Sequence, residues 1–168
     1  MIWAPWVFGI SWVGIAFMLA LEIPNILWTA NKPAGYDPSN ENKILRGFER
    51  VGQVLCTATI ILFSNTNPHG WNPWIAWLIA AIILMVLYEC YWIRYFRSSL
   101  TLHDFYRPFL GVPAPGATLP VVAFLLLGIY GRFVPLIVSA IILGIGHIGI
   151  HLQHIRELKH SAPPIDIR

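Results

Sequence analysis

Three long stretches of this chain carry almost no charge. Val7 to Thr29 holds a single acidic residue, Glu22, Pro73 to Tyr95 holds only Glu89 and Arg94, and no Asp, Glu, Lys or Arg lies between Val134 and Ile155. A helix crosses about 30 Å of hydrocarbon with roughly 20 residues, so each stretch is long enough to span. Two further apolar runs lie at residues 48–65 and 118–130. Charged residues make up 11% of the chain, less than half the share of about 25% in a soluble domain. They cannot cover a globular surface, and 57% hydrophobic residues exclude intrinsic disorder. The expected fold is therefore all-α: a polytopic membrane protein with one transmembrane domain over residues 1–168. It is a bundle of five transmembrane helices, at 7–29, 48–65, 73–95, 118–130 and 134–154. The fourth is the weakest, since 13 residues make only about 20 Å of helix. Gly131, Arg132 and Pro135 supply turn chemistry after it, which favours two helices over one bent span.

Orientation follows from the basic residues. With five spans, Lys32, Lys43, Arg46, Arg50, Arg94, Arg97, Arg107, Arg156, Lys159 and Arg168 fall on one side and Arg132 on the other. That asymmetry places the N-terminus out and the C-terminus in the cytoplasm. It also explains the net charge of +3 through the membrane, with no nucleic acid partner required. Thr101 and Asp104 have capping-box spacing, so a short interfacial helix is expected around residues 103–110. Trp3, Trp6, Trp71 and Trp74 mark one interface and Trp28 and Trp92 the other. The expected location is a bacterial-type inner membrane.

Polar residues within the spans concentrate at one depth. Counted at about 1.5 Å per residue, Glu22, Gln53, Glu89 and His147 share one layer. Asn25, Glu49, Arg50 and His151 form a second layer nearer the cytoplasm. Glu22 and Asn25 are i, i+3, Glu49 and Gln53 are i, i+4, and His147, His151 and His154 follow one helical face. Ionisable side chains are costly in a membrane and face an interior or a wet cavity. Helix glue is normally Ser, Thr or Asn, whereas this set has carboxylates and imidazoles. The expected site is a cytoplasm-facing pocket formed by Glu22, Asn25, Glu49, Gln53, Glu89, His147 and His151. Arg94 stands near its mouth to hold an anionic group.

The cofactor is open. A divalent metal could take His147 and His151, at i, i+4, together with Glu89 and Glu22. Residue 148 is Ile, so the HExxH pattern is absent. Haem is disfavoured, because two histidines on one helical face cannot hold its opposite sides. The run Gly144, Gly146, Gly149 formally matches a dinucleotide fingerprint. No strand precedes it, and close helix packing is the better reading. Cys56 and Cys90 lack any metal or redox spacing. No motif carries a resemblance to a known family.

Three functions fit these residues. The first is binding, or help in transport, of a small polar or amphipathic ligand through protonatable Glu and His. The second is a membrane-embedded enzyme acting on a lipid-like substrate, and the third a structural or assembly subunit without a ligand. The partners expected are the lipid bilayer and a small-molecule or lipid ligand. Five helices are few for transport by a monomer, which implies a homo-oligomer or a membrane partner.

Overall fold

The computed structural model describes residues 3–161 and is all-α. Its helices are α1 (Trp12–Ala30), α2 (Lys43–Leu62), α3 (Ile75–Phe96), α4 (Leu102–Tyr106), α5 (Pro115–Tyr130) and α6 (Val134–Ser161), with a 3-10 turn at Ser64–Thr66. Side-chain acceptors set the starts. Ser11 Oγ accepts from the Gly14 amide, and Asn42 Oδ1 accepts from those of Ile44 and Leu45. Thr101 and Asp104 form a reciprocal capping box that starts α4. Pro115 occupies the first turn of α5, where its missing amide costs nothing.

The five-span expectation is corrected here. Among the described residues, three helices are long and apolar enough to cross a membrane: α1, α3 and α6. The run at 48–65 belongs to α2, which begins at Lys43 and carries Lys43, Arg46, Glu49 and Arg50 in its first turns. Those charges remove it from the set. The run at 118–130 belongs to α5, whose 16 residues reach only about 24 Å. The assignment of the N-terminus to the outside assumed five crossings and falls with that count. Arg168, part of that tally, lies outside the described residues. The three long apolar helices are consistent with association with a membrane.

Boundaries shift as well. Residues 7–11 are not helical. The Gly9 amide donates to Leu62 O at 3.0 Å, that of Ser11 to Ile61 O at 2.9 Å, and that of Ser64 to Val7 O at 3.0 Å. This extended segment satisfies its backbone against the end of α2, so α1 starts only at Trp12. At the other end, α6 runs beyond residue 154 to Ser161.

The most extensive packing joins α2 to α6, α3 to α5, and α5 to α6, while α1 rests more sparsely on α2 and α3. Glycines let α2 and α6 meet backbone to backbone. A Cβ on Gly146 would strike the Glu49 amide and Leu45 O, and one on Gly52 would strike the Leu143 backbone. Gly144 lies against Val121 of α5 and Gly149 against the Leu45 side chain. Tyr88, Tyr91 and Tyr95 form the fully buried stripe of α3. Their hydroxyls tie α3 to its surroundings: Tyr95 donates to Asn31 O at 2.7 Å, Tyr91 to Phe105 O at 2.9 Å, and Tyr88 to Leu21 O at 3.3 Å.

Candidate functional site

The α2–α6 contact brings Glu49 against His147. His147 Nδ1 lies 2.5 Å from Glu49 Oε1, and both side chains are about four-fifths buried or somewhat less. An ionised carboxylate only accepts, so Nδ1 carries the hydrogen and a neutral ring leaves Nε2 as an acceptor. The ring of His151 stands 4.7 Å from that of His147, centroid to centroid. One turn further, His154 Nε2 is 3.3 Å from Glu41 Oε1, and Glu41 also pairs with Arg46 at 3.5 Å. Histidines at one-turn spacing on α6 thus meet carboxylates from the start of α2 and the loop before it. The loop itself is docked on α6. Gln153 accepts from the Asn42 amide at 3.0 Å and donates to Asn40 O at 2.9 Å.

Three cavities adjoin this row. One, of about 360 Å³, lies between α1, α2, α5 and α6, and its polar lining is Glu22, Asn25, Gln53, Thr57 and His147. Its apolar walls include Met18, Leu21, Val121, Phe124 and Leu143. A second, of about 190 Å³, shares Asn25 and His147 with the first. Its walls are the rings of Trp28, Tyr36, Trp92 and Phe105, with Glu41, Glu49 and His151. The third is an open depression of about 470 Å³ that shares Glu41 and Glu49 with the second and Gln53 with the first. The aromatic walls brace one another. Trp28 stacks on Phe105 at 5.6 Å and 23°, and Tyr36 meets Trp28 edge-on at 5.1 Å. Burial, and then the charges of Glu41 and Glu49, push the Tyr36 phenol up to about 12. Burial alone disfavours the phenolate, and the two carboxylates act in the same direction with smaller weight.

Six of the eight residues singled out by sequence line these cavities. Glu22, Asn25, Gln53 and His147 line the first cavity, and Asn25, Glu49, His147 and His151 the second. Glu89 lines none of the described cavities, and its Oε1 is buried without a hydrogen-bond partner. Arg94, the eighth, is engaged elsewhere. It donates to Pro108 O and Arg107 O, each at 2.9 Å, and lies over the rings of Tyr91 and Phe109. It clamps the segment after α4. The metal set of His147, His151, Glu89 and Glu22 is not assembled: among the described residues, no three His, Cys, Asp or Glu side chains converge on a common ion position.

Sequence reasoning missed Glu41, Tyr36, Phe105 and the wall role of Trp28 and Trp92. His154 was the available signal. It continues the row of His147 and His151, and its partner is Glu41. No family model, curated protein or solved structure matches this chain.

Proposed function

We propose that this chain is a multi-pass membrane protein that binds a small amphipathic ligand in the paired cavities meeting at His147 and Asn25. The observation that supports this most is their joint arrangement. A largely apolar chamber of about 360 Å³ adjoins a polar and aromatic one of about 190 Å³, and both are lined by the same histidine. Ligand sites are commonly apolar concavities of this order with a few convergent polar groups. In this reading Glu49 orients His147, Asn25 and Gln53 supply hydrogen bonds, and the apolar walls hold a short chain.

A structural subunit held together by polar glue is the competing reading. At the other end of the bundle, around Asn65 and Thr66, the buried polar side chains are neutral, without carboxylates or imidazoles among them. Native mass spectrometry of the detergent-purified protein tests the proposal. A small organic adduct should accompany the wild-type chain and be lost from Thr57→Trp, which places an indole in the larger cavity from its exposed rim. Finding no adduct in any preparation, or the same adduct in the filled variant, would overturn it.

A further inference from the structure

We infer that the ligand carries an organic cation, an alkylammonium head on a single apolar chain, with the head in the small cavity and the chain in the large one. The inference rests on the ligand-binding reading above and names its chemical class. The small cavity has four aromatic walls, Trp28, Tyr36, Trp92 and Phe105. Its charged lining consists of two carboxylates, Glu41 and Glu49, with no Lys or Arg. Aromatic faces attract ammonium groups through the ring quadrupole, and quaternary ammonium is typically held in such cages.

The Trp28 indole already takes a cation in the folded protein, since Lys32 Nζ stands 5.2 Å from its centroid. Glu41 has Arg46 and His154 as partners, whereas Glu49 has the neutral or charged ring of His147. The cavity therefore offers at least one carboxylate whose charge no Lys or Arg on its lining offsets. An anionic head would meet both carboxylates, with no Lys or Arg on the lining to receive it. At about 190 Å³ the chamber accepts a compact head, and the adjoining 360 Å³ accepts a short chain along Met18, Leu21, Phe124 and Leu143.

Calorimetric titration of the full chain in a non-ionic detergent tests this with four probes: tetramethylammonium, hexyltrimethylammonium, hexanesulfonate and 1-hexanol. Hexyltrimethylammonium should bind, and more tightly than tetramethylammonium by tenfold or more, since each buried methylene adds about fourfold. Hexanesulfonate should bind at least tenfold more weakly. Glu49→Gln and Trp28→Leu, at unchanged elution volume, should each weaken the cation about tenfold, and Trp28→Phe should recover part of that loss. Competition by lysophosphatidylcholine would place the head on a lipid, and its failure would place it on a free amine. Either result supports the cation.

Hexanesulfonate binding as tightly as the cation would overturn the inference. So would wild-type cation affinity in folded Glu49→Gln and Trp28→Leu. If hexanesulfonate or hexanol binds and Thr57→Trp abolishes it, the cavity reading stands and the cation falls. If none of the four probes binds, both fall.

Discussion

The two ends of the bundle solve the same problem with different chemistry. At one end, the segment before α1 is tied to the 3-10 turn by neutral side chains. Asn65 accepts from the Val7 amide and donates to Pro5 O, each at 2.9 Å, and the Ser11 and Thr66 hydroxyls meet at 2.6 Å. These groups are buried and fully partnered within the chain. The depression of about 430 Å³ beside them has no carboxylate on its lining. At the other end, glutamates, histidines and aromatic rings surround cavities. Neutral amides and hydroxyls suffice for joining helices, because each bond needs only a matching donor and acceptor. Carboxylates and imidazoles are costly to bury and bring changeable charge, so their concentration beside cavities is what the proposed binding role rests on.

The sharpest break would come from Glu49 and His147. Replacing both by Leu should abolish ligand binding outright, by a hundredfold or more. It should cost little stability, because both members of the pair leave together and none is stranded. Binding retained in that folded double variant would erase the distinction between the ends. Asn65→Leu should do the reverse. It leaves a backbone amide and a carbonyl without partners, so thermal unfolding should show a loss of about 2–3 kcal/mol with binding intact. Ser11→Ala, which removes the cap of α1 and a bond to Thr66, should cost about 1 kcal/mol. Loss of binding in either variant would mean that the ends are coupled.

Glu89→Leu is expected to move neither property far. The carboxylate has a buried oxygen without a partner and no place on the cavity lining, so its removal should leave affinity unchanged and stability equal or higher. A clear fall in affinity would return Glu89 to the site. The smallest effect concerns α4. Hydrogen bonds from the Thr101 hydroxyl and amide hold the Asp104 carboxyl below its usual range. A lowered carboxylate stabilises the fold above its unfolded value near 3.9, and that contribution fades as pH drops through the lower folded value. Protection of the α4 amides, taken relative to their intrinsic exchange rates, should thus be kept at pH 5 and fall only in stronger acid. Loss of protection already between pH 7 and 5 would assign the capping box no part in holding α4.

Depth along a helix was legible in the residues, and direction around it was not. Counting rise placed Glu22, Gln53 and His147 in one layer, and they line one cavity. Glu89 has the same depth, but the buried stripe of α3 runs through Tyr88, Tyr91 and Tyr95. A residue one position on is rotated by about 100° from Tyr88, away from that stripe. The all-α class followed from composition. The span count did not, because α2 and α5 are helices whose charge or length sets them apart from α1, α3 and α6. Tyr36 and Glu41 were invisible because their loop is ordered from a distance, by Gln153 more than a hundred positions away. Trp28 and Trp92 suited an interface belt as well as a cavity wall, since an indole is an apolar body with one polar atom in either setting.

Pro24 gives α1 a mechanical character unlike that of the other long helices. At its start, α1 is fastened by Ser11 and by the contact of Gly14 with the Ile60 carbonyl. Near its end, Asn25 meets Tyr88 at 3.1 Å and Asn31 meets Tyr95. Between these fastenings Met18, Leu21 and Glu22 lie over empty volume. Proline lacks the amide that would bond the Ala20 carbonyl, so one rung of the ladder is missing in that span. A rod pinned at two points and thinned between them flexes at the thin place first. Bending the α1 wall of the larger chamber at that place leaves both fastenings intact, and the α5 wall opposite carries an in-helix proline of its own, Pro120.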